Sequence, residues 1–471
     1  MPREDLGDKM RRQEALQLVE QFEDMLKNNT CCFFGHESYE YIIEFYEDHF
    51  EFEKALEVTD YAIEQYPYSS VFLTKKSQFL FECKKCEEAL QLLDAARRLS
   101  PTDIDLLILE AEIKAYQGHY PEALELLEHA LTFADRDDRM DIYLTMSDIH
   151  ESNGNEQTAF KYIKRTLAIK PDHEEALTRA DYYVENNQWY DIGIKLFERI
   201  LSELPHTVGA WFSLGNALTG LERYTEAIDA YEYATAIDEN YEPAYRALGD
   251  AYFETNNYQK AEEQYQVAQK LNVEPDDELC YCIALCHYNM ENCLKAAEHL
   301  LDALHINEDN HEAHFLLGEC YLDLQMFHEA LDSFNKALSI DQQNPEYLAG
   351  IGALQWELGN TETAITFYQY AIEQSPDCQE YWLNLAEIYC HTHAYTEALT
   401  ACQQIHARFG ATDHSCCLIA AALFGIDKKT EALQWFAQVV WSKSDKQNLL
   451  FEIHPHLKRN HEIKALVKNN T

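Results

Sequence analysis

Apolar side chains recur along this chain three and four residues apart, and the whole pattern returns about every 34 residues. The clearest unit is VGAWFSLGNALTGLERYTEAIDAYEYATAIDENY, residues 208–241, followed at once by EPAYRALGDAYFETNNYQKAEEQYQVAQKLNVEP, residues 242–275. Stepping in both directions places unit starts at 36, 70, 104, 140, 174, 208, 242, 277, 311, 345, 379 and 413, with two extra residues before 140 and one before 277. Twelve units then run from 36 to 446. Residues 1–35 and 447–471 are left as terminal caps.

The register is tested at the twentieth position of each unit. It holds Ala55, Ala89, Ala123, Ala159, Gly193, Ala227, Ala261, Ala296, Ala330, Ala364, Ala398 and Ala432. The eighth position is mostly small as well (Gly215, Gly249, Ala284, Gly318, Gly352, Ala386, Ala420), with Ile43 and Asp181 departing. Large apolar groups occupy the fourth and seventh, as in Trp211 and Leu214, Tyr245 and Leu248, Trp382 and Leu385. Positions four, seven, eight and eleven form one stripe of a first helix, and twenty, twenty-four and twenty-seven form the stripe of a second. Small residues at eight and twenty let the two axes approach, and large ones fill the gaps. Gly118, Gly154 and Gly359 share the fifteenth position, where a left-handed residue would end the first helix. Pro67, Pro101, Pro171, Pro205 and Pro376 share the thirty-second, where proline stops the second.

This helix–turn–helix pattern resembles the tetratricopeptide repeat. The match is sharpest over 208–410 and weaker at 104–139, where Glu110 takes a normally apolar slot, and at 413–446. The resemblance implies an all-α, right-handed superhelical solenoid of about twelve repeats, its first helices lining a concave groove and its second helices facing outward, with terminal segments as caps. Residues 13–27, with Ala15, Val19, Phe22 and Leu26 on one stripe, read as an N-terminal cap helix. The tail carries Leu449, Leu450, Phe451 and Ile453, then Ile463 and Leu466, and should cover the last repeat.

Composition agrees. Fifteen Gly and eleven Pro in 471 residues leave few tight turns, which excludes all-β and collagen-like folds, while 46% hydrophobic residues suffice for a core. The formal charge is −46, and residues 36–441 carry −47 of it because the C-terminal tail is basic. Such a balance argues against nucleic acid and against anionic membranes as partners. No apolar leader opens the chain and no stretch of eighteen apolar residues exists, so the expectation is a cytoplasmic protein with reduced thiols at its 14 Cys. The glycosylation-like triplets at 28–30 and 469–471 carry no weight in that setting.

No catalytic signature emerges, and neither a cofactor nor a metal is expected. His311-Glu-Ala-His314 has the wrong spacing for a zincin and reads as a surface pair at the start of a repeat. Cys83-Lys-Lys-Cys86 is a lone C-x-x-C at a helix–helix turn, and the adjacent pairs Cys31-Cys32 and Cys416-Cys417 are poorly placed to bridge. Cys280, Cys282, Cys286 and Cys293 with His287 form a denser group. The alternative to a binding protein is therefore a metal-dependent enzyme or thiol sensor centred on residues 280–293.

The resemblance assigns the groove lining mainly to the second, fifth, sixth, ninth and twelfth positions. The carboxylate clamp of the co-chaperone members needs Lys and Asn there. No fifth position holds Lys, and only Asn216 supplies Asn at a ninth, so a chaperone C-terminal tail is not expected. What remains is acidic with aromatic steps: Asp148, Glu175, Asp250 and Glu319 among Tyr182, Phe212, Tyr281 and Phe315. Arg246 and Asp250 lie four apart, side by side on one helix face. Stacked units should set Phe212, Arg246, Asp250, Tyr281 and Phe315 along one concave wall. The expected function is a non-catalytic scaffold holding a protein or peptide, with apolar and basic side chains, in this groove.

Overall fold

A computed structural model describes residues 6–28, 32–442 and 446–468. Cys31 and residues 29–30 and 469–471 lie outside these, as does the Ala15 side chain. The described residues are helical with no strand, and the chain divides into two compact units, Met1–Glu239 and Asn240–Thr471.

The first unit opens with helix Leu6–Asn28, which buries Val19, Phe22 and Met25 against the first helix pair. First helices follow at His36–Asp48, Ser70–Glu82, Ile104–Tyr116, Arg136–Ser152, Glu174–Asn186 and Val208–Thr219. In the second unit they are Glu242–Glu254, Asp277–Asn289, His311–Asp323, Pro345–Glu357, Gln379–His391 and Asp413–Gly425. The fourth helix starts at 136, not 140. Asp135 accepts from the amides of Asp137 (2.8 Å) and Asp138 (3.0 Å), and its own amide donates to Asp138 Oδ2 (2.9 Å). This capping box pulls the helix start back by one turn.

The turn between paired helices is the same everywhere. Position fifteen has positive φ in all twelve repeats, at three glycines and at nine other residues: Phe50, Lys84, Gln188, Glu222, Asn256, Glu291, Gln325, His393 and Asp427. The amide of the next residue returns to the carbonyl five back, as in Glu51 to Tyr46 (2.9 Å) and Arg223 to Leu218 (3.0 Å). That is the Schellman closure of the first helix. Glycine was the sequence signal for it, yet the topology enforces it on residues as bulky as Phe50.

Packing follows the small positions. Every alanine at position twenty is fully buried. Position eight receives position twenty-four, and their sizes trade off. Gly215 faces Tyr231, Gly249 Tyr265, Gly318 Phe334 and Gly352 Tyr368. Where alanine stands at position eight the partner position can hold the smaller Leu, as at Ala284 and Leu300, which share one buried cluster. Glu110, at 8% exposed, keeps its carboxylate in the apolar slot by pairing with Arg97 Nη1 at 3.0 Å.

Proline ends the second helices as its missing N–H requires. The carbonyls it leaves are reused: Trp211 Nε1 donates to Pro205 O (2.8 Å) and Trp382 Nε1 to Pro376 O (3.1 Å). The tail folds as Gln447–Ile453, a 3-10 turn Pro455–Arg459 and His461–Lys468. It buries Leu449, Leu450, Ile453, Leu457 and Ile463 with Cys417, Leu418 and Phe436 of the last repeat.

Candidate functional site

The residues marked for partner binding all sit on first helices, where a 3.6-residue turn brings positions two, five and nine to one face. In the first unit, Asp148 and Glu175 converge on Arg179. Its guanidinium pairs with both Asp148 oxygens and with Glu175 Oε1 at 3.0 Å, so these carboxylates are neutralised within the protein. Tyr182 is 53% exposed with its ring 5.6 Å from that of Tyr183. Phe212 is half-buried, its ring 5.9 Å from Tyr231. Asn216 donates to Asp181 Oδ2 (2.7 Å) and accepts from the Tyr231 hydroxyl (2.8 Å). Burial pushes the Asp181 carboxyl up to about 7, against the pull of that amide.

In the second unit, Arg246 does not pair with Asp250. Its guanidinium is taken by Asp276, by Glu278 (3.0 Å) and by Glu242 (3.4 Å). Asp250 instead accepts from the Tyr265 hydroxyl at 2.7 Å. Adjacency along one helix put the two side by side, but two carboxylates at the start of the next repeat compete better for the cation. Sequence reasoning missed Asp276 and Glu278. Asp276 was detectable as an N-cap, since its carboxylate accepts from the Leu279 amide at 3.1 Å.

Tyr281 and Phe315 are half-buried on neighbouring first helices. Phe315 rests on Phe334 (5.4 Å between centroids) and on the buried Tyr347 (4.8 Å), whose hydroxyl is held by His311 Nδ1 at 2.7 Å. Glu319 occupies the same ninth position as Asn216 and Asp250. Their repeats place a tyrosine hydroxyl against that position, whereas Phe334 has none to offer. Burial, with Asp323 and Glu346 adding repulsion, pushes the Glu319 carboxyl up to about 7. Among the described residues no ion pair forms at Glu312, Glu319 or Glu346.

The other marked residues are packing groups. His314 is 7% exposed, not a surface residue, and its Nε2 meets Glu308 O at 3.0 Å. The register turns it inward while His311 remains at the edge. Cys280 and Cys286 are buried, Cys282 and Cys293 half-buried, and Cys83 and Cys86 flank their turn half-buried. Burial pushes the Cys282 and Cys286 thiols up to about 12, the reverse of an activated thiolate. Among the described residues no group of three His, Cys, Asp or Glu could hold a metal ion, and no helix is long and apolar enough to cross a membrane.

Models of the tetratricopeptide repeat match residues 177–242, 311–344, and 218–277 with 355–412. Tetratricopeptide repeat protein 21B of Mus musculus is 23% identical over 340 residues, covering 66% of this chain and 25% of that protein. The BBSome complex member BBS4 of Bos taurus is 20% identical over 286 residues, covering 61% and 48%. The chain thus spans a quarter to a half of these relatives' lengths. Among solved structures, the APC/C hetero-tetramer Cut9-Hcn1 aligns at TM-score 0.44 and 14% identity over 88% of this chain and 94% of that one. The matching models lie in both units, on the helix pairs and repeated small positions described above, so the chain contains tetratricopeptide repeats.

Proposed function

We propose that this chain is a non-catalytic scaffold that holds a protein or peptide segment on the exposed face of its first helices, using acidic and aromatic side chains. One observation carries the reading. In the second unit Glu312, Glu319 and Glu346 stand beside the half-exposed rings of Tyr281 and Phe315, while the nearby Arg246 is committed to Asp276, Glu278 and Glu242. A carboxylate face without a cation of its own among the described residues suits a segment with Lys or Arg, and the rings supply apolar anchoring. The excess negative charge also favours a protein partner over nucleic acid or an anionic membrane, and a cytoplasmic setting fits the sequence. Tetratricopeptide repeat proteins as a class mediate protein–protein interactions, and two of the similar proteins are named as members of assemblies, the BBSome and the APC/C.

The test is a double variant, Tyr281→Ala with Phe315→Ala, titrated calorimetrically against the partner captured from native lysate. A loss of about 2 kcal/mol or more is expected, as for interface hot spots. Glu298→Ala, on an exposed position of a second helix, should change little. Unaltered binding by a folded double variant would show that the partner docks elsewhere.

A further inference from the structure

We propose that Glu312, Glu319 and Glu346, with the rings of Tyr281 and Phe315, form a subsite for one arginine side chain of the bound segment. This rests on the reading of these helices as a partner-binding face and names the partner's chemistry at one place on it.

The five groups belong to three consecutive first helices and converge. Glu346 acts electrostatically on the Glu319 carboxyl and on the phenols of Tyr281 and Tyr347, and Glu312 acts on both phenols as well. Phe315 and Glu319 meet above bare backbone at Gly350. A Cβ there would come within 2.8 Å of Phe315 Cε2 and 3.5 Å of Glu319 Oε1. Tyr347 backs the Phe315 ring at an interplanar angle of 30°, and the His311 contact fixes Tyr347 in turn. The site therefore offers ring surface held from behind, one half-buried carboxylate and two exposed ones.

That combination selects the guanidinium among cationic side chains. A planar, weakly hydrated group can lie against a ring and still direct its N–H fork to carboxylates, whereas an ammonium is compact and strongly hydrated. Glu346 repels the Glu319 carboxylate, and a bound guanidinium relieves that repulsion. The same relief drives Glu319 to ionise. The titratable groups facing Glu319 are Asp323 and the Cys320 thiol on its own helix, Glu346, and the phenols of Tyr288 and Tyr368. Burial holds both phenols at about 12, so they keep their protons near neutral pH.

The probe is a pair of acetylated, amidated nonapeptides that differ only in a central arginine or citrulline, its uncharged isostere. Each is titrated into the full chain at pH 7, in phosphate and in Tris. The arginine peptide is expected to bind about tenfold more tightly or better. Glu312→Gln and Glu346→Gln, both at exposed positions and checked for unchanged melting, should each weaken it about three- to tenfold. Its binding enthalpy should differ between the two buffers because a proton is released, and Glu319→Gln should abolish that difference. Equal binding of the citrulline peptide, Gln variants that retain full affinity, or no binding of the arginine peptide at millimolar concentration would each overturn the subsite. If the arginine peptide fails while the native partner still needs Tyr281 and Phe315, the subsite is wrong and the scaffold reading stands. If the native partner ignores those rings, it docks elsewhere and the reading of this face as its binding surface fails.

Discussion

Tyr265 occupies the space that a side chain at Gly249 would need. A Cβ on Gly249 would lie 2.5 Å from Tyr265 Cε1, and the phenol passes over this glycine to donate to Asp250 at 2.7 Å. The glycine sets the close approach of the two helices of the repeat, and the tyrosine uses it to satisfy the next residue along.

Gly249→Ala should therefore overpack this contact and cost about 1–3 kcal/mol in urea unfolding. Adding Tyr265→Leu should recover part of the loss, because Ala284 with Leu300 is the same pair of positions built with that smaller combination. A double-mutant cycle reads the coupling directly. Additive losses would mean that the tyrosine ring is not what the new methyl meets.

Nine repeats hold a non-glycine residue in the left-handed conformation that ends the first helix. An L-residue pays about 1–2 kcal/mol there, partly offset in glycine by the greater freedom of its unfolded chain. Glu222→Gly, at φ 58°, should raise stability by about 0.5–1 kcal/mol, while Gly118→Ala, at φ 82°, should lower it by a similar amount. Thermal melting of the two variants would show opposite shifts.

Asp181 and Glu319 each hold a carboxyl raised to about 7 by burial. The folded protein then binds protons that the unfolded chain has already lost between the ordinary carboxylate range and pH 7. Stability contributed by these groups is fully present below the ordinary carboxylate range, falls as pH rises from there through about 7, and levels off above it. Denaturant titrations from pH 5.5 to 8 should show the decline, and Glu319→Gln should make it shallower, with Asp181 supplying what remains. A slope unchanged in that variant would mean that Glu319 titrates in the folded state as an exposed carboxyl does.

Much of this architecture was legible in the sequence. The 34-residue period, the small residues at positions eight and twenty and the proline at thirty-two are local signals, because helix faces and helix ends are set by residues three to five apart. Alanine at position twenty is legible for the same reason, since every repeat makes the same crossing. Tertiary structure decided the rest. It forced Phe50 and Glu222 into a left-handed turn that their side chains disfavour, because the paired helices must close there whatever residue stands at that place. It also chose the electrostatic partners. Arg246 goes to Asp276 and Glu278, and Arg179 to Asp148, across about 30 residues of chain. Among the described residues Glu319 has no donor, and Phe334 stands where two other repeats place a tyrosine hydroxyl against the ninth position. Sequence spacing shows which side chains share a helix face, but stacking fixes which charges across neighbouring repeats come within reach, and so which are left for a partner.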